Sequence, residues 1–113
     1  MAYVYMLRCE DGSLYTGIAH DIGRRMREHF YKEKPGAKYT KSHPPMALEM
    51  VWETQEWSDA ARLEYRIKRL EKARKEQLLR CPEGVEELFG EKLKGAHYEV
   101  QRNLRLADLL KEP

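Results

Sequence analysis

The stretch from Tyr3 to His29 leaves few folds open to this chain. Residues 3–9, Tyr-Val-Tyr-Met-Leu-Arg-Cys, form a near-continuous run of β-branched, aromatic and apolar side chains, as expected of a strand covered on both faces. Leu14–Ala19 is a second such run, and Glu-Asp-Gly-Ser between the two signals a hairpin turn. Gly17, inside the second run, implies a bulge or the close approach of another backbone. Asp21 then offers an N-cap. Ile22, Met26 and Phe30 recur at i, i+4 and i+8, so a helix from Ile22 to about Lys32 can pack back on the hairpin before Lys34-Pro35-Gly36 ends it.

Tyr5, Tyr15, Arg25 and His29 can converge on one patch of this unit, and the hairpin register decides whether they do. Side chains alternate faces along a strand, so parity across the turn is what matters. A two-residue Asp11-Gly12 loop pairs Glu10 with Ser13 and puts the tyrosines on opposite faces. A three-residue Asp11–Ser13 loop, or one bulge, brings them together, and a shared site requires that second arrangement. The bland alternative is that both tyrosines are strand aromatics filling a core. Arg25 and His29, at i and i+4, emerge on one side of the helix. An arginine there offers several donors to a phosphate, while at least one of the three, Arg24, Arg25 and Arg27, is expected to be an ordinary solvated charge.

Further along, Ala37–Pro45 is a basic loop and Ala47–Glu53 alternates as a third strand. Ser58 is an N-cap for a long helix reaching about Arg80, with Ala60, Leu63, Ile67, Leu70 and Leu78 as its buried stripe. Pro82 opens a linker, a short helix is expected at Glu83–Phe89, and His97–Leu110 is a last amphipathic helix through Val100, Leu104, Ala107 and Leu110. The elements read ββαβα plus a helical tail. At 113 residues the chain suits one α+β domain over residues 1–81, a three-stranded, mainly antiparallel sheet flanked by helices, with a helical extension over 82–113 packed on or near it.

Charge narrows the partners. Residues 24–43 carry seven Lys/Arg against two Glu, residues 62–80 carry eight against three, and the tail from Pro82 carries five against seven acids. Two basic segments suggest a face for a polyanion, although solvated helices give the same runs. Cys9 and Cys81 stand singly, as reduced thiols rather than a disulfide or zinc pair. No apolar run reaches the length of a membrane span and no signal peptide opens the chain, so a cytoplasmic protein is expected.

Among the acids, Glu64 lies beside Ala60, Leu63 and Ile67, at the edge of the buried stripe. A carboxylate held there is a metal ligand or the partner of a nearby cation. Glu71, two turns on, is its rival. One carboxylate cannot build an all-protein cage, so a bound metal would be a single Mg²⁺ or Mn²⁺ completed by waters and substrate phosphate.

Together these residues resemble the GIY-YIG nuclease superfamily. Tyr3-Val4-Tyr5 matches the first signature triplet and Tyr15-Thr16-Gly17 the second. Arg25 matches the arginine of the following helix, and Glu64 the single metal-binding glutamate. Gly36-Ala37-Lys38 and Lys75-Glu76-Gln77-Leu78 are similar to segments of the small, single-domain bacterial branch. The resemblance covers about residues 2–80. It implies a divalent-metal-dependent endonuclease acting on nucleic acid, most readily DNA. In it Glu64 holds the metal, Tyr5 and Tyr15 assist and position the water, Arg25 stabilises charge on the phosphate, and His29 shuttles a proton. Lys38, Lys41, Lys68 and Arg69 are then candidates for backbone contacts. Two other readings fit the same residues: a nucleic-acid-binding module without cleavage, and an interaction scaffold that uses the C-terminal helix. A protein partner that selects the substrate is compatible with an isolated domain of this size.

Overall fold

The computed structural model describes residues 1–31 and 38–111. The expected end of the first helix at Lys32, its Lys34-Pro35-Gly36 breaker and Ala37 lie outside the described residues. β1 (Ala2–Cys9) and β2 (Leu14–Ala19) form the hairpin, and α1 (Ile22–Phe30) follows. Asp21 caps α1, its carboxylate accepting from Arg24 N at 3.0 Å. α2 (Lys38–Ser42) occupies most of the expected basic loop, and β3 (Pro45–Thr54) contains the expected third strand.

The sheet has four strands rather than three, in the order β2-β1-β3-β4, and every pairing is antiparallel. The extra strand, β4 (Glu99–Val100), comes from within the stretch expected to be the last helix. Helical spacing in His97–Leu110 is real, but the start of that stretch is claimed by the free edge of β3. Val100 pairs with Trp52, Gln101 N donates to Val51 O at 2.9 Å, and the buried Tyr98 hydroxyl donates to Asp59 O at 2.7 Å. Only α6 (Leu106–Leu109) is helical there.

The long helix expected over 58–80 is two helices, α3 (Trp57–Lys68) and α4 (Lys72–Arg80). Neither Gly nor Pro breaks it. Glu71, at an extended ψ of 156°, caps α4 through its carbonyl. The new direction lets Glu76 take a bidentate pair with Arg8 of β1, at 2.5 and 2.6 Å, while Leu78 enters the core. α3 starts at the Glu56 carbonyl rather than on a Ser58 cap, accepting from Asp59 N and Ala60 N.

β1 is the spine, buried on both faces: Val4, Tyr5, Met6 and Leu7 are wholly inaccessible. Its even residues, with Trp52 of β3, pack under Ala60, Leu63 and Ile67 of α3. Residues beyond Cys81 join that same cluster through Val85, Leu93 and Tyr98, and Pro82 O accepts from the Trp52 indole at 2.9 Å. α5 (Val85–Phe89) falls within the expected short helix. The odd residues, Tyr5 and Leu7, pack with Val51 beneath Ile22 and Met26 of α1.

Candidate active site at the edge of the sheet

The hairpin closes with a three-residue loop, Glu10–Gly12, one position earlier than the loop that a shared site was expected to need. Cys9 N donates to Ser13 O, Gly12 N donates to Cys9 O, and Gly12 takes φ +86°, which only glycine adopts without strain. The Asp11 carboxylate accepts from both the amide and hydroxyl of Ser13. This loop has the odd count that keeps Tyr5 and Tyr15 on one face: Tyr5 pairs with Gly17 and Leu7 with Tyr15. Their ring centroids are 6.2 Å apart.

Gly17 is neither a bulge nor the site of a backbone approach. The β1–β2 pairing is regular through it. What comes close is a side chain: a Cβ there would stand 2.5 Å from the Tyr5 hydroxyl oxygen and 3.1 Å from the Tyr15 ring. Glycine is required because the Tyr5 ring lies across its α-carbon.

α1 brings Arg25 and His29 onto this face. The Tyr5 hydroxyl lies 2.6 Å from His29 Nε2, Arg25 Nε donates to the same hydroxyl at 3.3 Å, and His29 Nδ1 lies 2.8 Å from Thr40 Oγ1. The guanidinium can only donate, so the phenol's own proton goes to Nε2. The imidazole then carries its hydrogen on Nδ1 and donates to Thr40. Arg25 also donates to Glu28 at 2.6 Å, and Glu28 is buried.

Burial shapes the protonation states. It pushes the Tyr5 phenol well above its ordinary value, reinforced by the neighbouring Tyr15 and partly offset by Arg25. Burial, then the Arg25 charge, pulls His29 down to about 4, partly offset by Glu28. Burial also opposes the charge on Arg25, but its hydrogen bonds to Glu28 and Tyr5 outweigh that and keep the guanidinium charged. At neutral pH the cluster is therefore a fixed cation, a protonated phenol and a neutral imidazole.

Glu64 is linked to the cluster from the helix on the other face, through Lys68. α3 packs over the even side of the sheet, yet Lys68 Nζ sits 5.8 Å from the centroid of Tyr15, on the odd side. α3 side chains thus pass around β2, which is the sheet's outer strand. Glu64 lies one turn before Lys68, pairs with it at 3.2 Å and raises the Tyr5 pKa electrostatically. Its carboxylate is half-buried and its ion-pair partner Lys68 is an exposed side chain, so it can exchange that cation for a divalent one. Among the described residues no group of three His, Cys, Asp or Glu side chains could hold a metal. The donor set suits one hard cation whose remaining positions are filled by water and phosphate oxygens.

The other expected residues separate. Lys38 and Lys41 are exposed on α2, while Thr40 between them turns inward to His29. Arg69 lies over the exposed Tyr65 ring at 5.3 Å. Glu71 is exposed at the break between α3 and α4. Arg24 is exposed and pairs with Glu28, and Arg27 donates to the carbonyls of Leu109 and Lys111, tying the tail to α1. Sequence reasoning missed Glu28 and Thr40. Glu28 was findable, at i+3 from Arg25 and i+4 from Arg24; Thr40 left no local signal.

A small antiparallel sheet thus gathers two tyrosines, a helix-borne arginine and a histidine near its edge, with the Glu64 carboxylate paired to Lys68 beside them. The family model described as the GIY-YIG catalytic domain matches residues 1–77, and the chain belongs to that nuclease-like family. Within it, the chain is similar to small UPF0213 proteins. It is 47% identical over 81 residues to UPF0213 protein FN1575 of Fusobacterium nucleatum, covering 72% of this chain and 79% of that protein. It is 43% identical over 77 residues to UPF0213 protein BH0048 of Halalkalibacterium halodurans, covering 68% and 80%. The solution NMR structure of UPF0213 protein BH0048 from Bacillus halodurans is 39% identical, with 80% and 96% covered and a TM-score of 0.49. Among the described residues no helix is long and apolar enough to cross a membrane.

Proposed function

We propose that the protein is a divalent-metal-dependent endonuclease that hydrolyses phosphodiester bonds in DNA, with Mg²⁺ or Mn²⁺ as its single ion. One observation carries this reading: the three-residue hairpin loop keeps Tyr5 and Tyr15 on one face with Arg25 and His29, next to Lys68 and its ion-pair partner Glu64.

Glu64 would hold the ion. The chemistry that such an ion supplies when bound is polarisation of the phosphate and neutralisation of charge near the leaving oxygen. The chain's own residues do the rest. Arg25, permanently charged, donates to a phosphate oxygen as negative charge grows there. The half-buried Tyr15 positions the attacking water. Tyr5 and His29 move its proton: the water gives a proton to the Tyr5 oxygen as the Tyr5 proton passes to His29 Nε2. The resulting hydroxide forms the new P–O bond, and the departing oxygen takes a proton from solvent. The imidazolium so formed keeps its Nδ1 hydrogen bond to Thr40 and is stabilised by the buried Glu28. Lys38, Lys41, Lys68 and Arg69 would contact the backbone of the nucleic acid, which fixes its position without reading its sequence.

The test is cleavage of labelled nucleic acid in Mg²⁺, Mn²⁺ and EDTA by the wild type and Glu64→Ala. Loss of at least about 100-fold in rate, with binding retained, is expected. Cleavage that survives both Glu64→Ala and Arg25→Ala would overturn the site. Binding without cutting in the wild type would favour the module reading.

A further inference from the structure

α3 and β2 run side by side in opposite directions, and each of their ends is marked by a ring. At one end Trp57, the first residue of α3, stacks on His20, just past β2, with ring centroids 4.3 Å apart at 26°. At the other, Lys68 sits over Tyr15, 5.8 Å from its centroid. The spans agree. From Trp57 to Lys68 α3 rises ~16 Å, and from Tyr15 to His20 β2 advances ~16 Å. Between the ends lie Glu64 on the helix and Gly17, backed by the Tyr5 hydroxyl, on the strand. Tyr15 is itself the first ring of a second stack, with Tyr39 at 5.4 Å and His43 a further 4.0 Å on.

Trp57 is 43% exposed although it is the chain's largest side-chain type, and His20 behind it is also exposed. The rings brace each other and leave apolar surface in water, in line with the site, whose far end along α3 carries the cations Lys68 and Arg69. An unpaired nucleobase on a polyanionic backbone has the flat face and the charge that complement such a surface. A paired base inside a duplex does not, because its neighbours already cover both faces.

We infer that the Trp57–His20 pair is a stacking platform for an unpaired base, about 10 Å along α3 from Glu64, or roughly three stacked nucleotides at ~3.4 Å each. The substrate class is a nucleic acid strand that is single-stranded on this side of the scissile phosphate. This inference rests on the nuclease reading for its substrate, but binding alone can test it.

The chain has two tryptophans. Trp52 is wholly buried with its indole bonded to Pro82 O, so quenching by a bound base reads Trp57. The full chain, in EDTA to prevent cutting, is titrated with a labelled oligonucleotide of about 15 residues as single-stranded DNA, RNA of the same sequence, or duplex DNA. Anisotropy reports binding and tryptophan emission reports stacking. Single strands should quench emission, duplex should not, and the Trp57→Phe variant should show no quenching. Trp57→Ala should weaken single-strand binding roughly 5- to 150-fold, as expected for loss of one stacked base, with duplex binding nearly unchanged. The DNA and RNA arms identify which strand is preferred. Single-strand binding without quenching, equal quenching by duplex, or unchanged affinity in Trp57→Ala would each overturn the platform and leave the nuclease reading standing. Binding in no arm would overturn both.

Discussion

The two faces of this sheet are filled by different chemistry. Beneath α3, Val4, Met6, Trp52, Leu63 and Ile67 interlock as an apolar core, and the Trp52 indole is satisfied by a backbone carbonyl. Beneath α1, Tyr5 and Met26 share their space with His29, Glu28 and Thr40, all buried, and with the Arg25 guanidinium. Each polar group there is held by another polar group, which offsets the cost of leaving water but stabilises the fold less than packed carbon does. The apolar face supplies the stability on which the polar face draws, and the proposed chemistry lies on the face that stabilises least.

That division can be broken by experiment. The largest expected effect is on the apolar face: Leu63→Ala should lower the free energy of unfolding by about 2–5 kcal/mol in a denaturant titration. The cleavage rate of the remaining folded protein should be unchanged; a matching fall in rate would mean that the two faces are not separable.

Next comes the pH dependence of the polar face. The unfolded chain protonates His29 near its ordinary value of 6.5, whereas the folded chain holds it unprotonated down to about 4. Its contribution is therefore fully present above pH 6.5 and is lost as pH falls from 6.5 toward 4, by at most about 3 kcal/mol. Stability of the wild type and His29→Gln, measured across that window, should diverge at high pH and converge at low pH. Parallel curves would show that the imidazole is not held neutral.

The smallest effect on stability falls where the hairpin meets the cluster. Gly17→Ala places a methyl 2.5 Å from the Tyr5 oxygen and should cost about 1–3 kcal/mol. It also pushes the phenol off His29, so the cleavage rate should fall further than stability does. A fully active, destabilised variant would separate the Tyr5–His29 bond from the chemistry.

The sequence made much of the site legible because its signals are local. Asp21 capping α1, the one-sided placement of Arg25 and His29, and the position of Glu64 at the rim of an apolar stripe all follow from helical spacing. Gly17 was misread as a bulge or a backbone approach, because the approach of the Tyr5 ring depends on which strand residue lies opposite. Thr40 was invisible because its partner is eleven residues away on another element.

By itself, then, the sequence determined the elements whose pattern repeats within a few residues: the hairpin, α1, the centre of β3 and the apolar face of α3. Tertiary structure decided what depends on distant partners. The odd loop fixed the parity that joins Tyr5 to Tyr15. The open edge of β3 drew Glu99–Val100 out of a helical pattern into a fourth strand. The Arg8–Glu76 pair accompanies the turn of α4 away from α3 without any residue that breaks helices. In each case the partner lies far off in sequence or across a strand, and only the folded chain could bring it within reach.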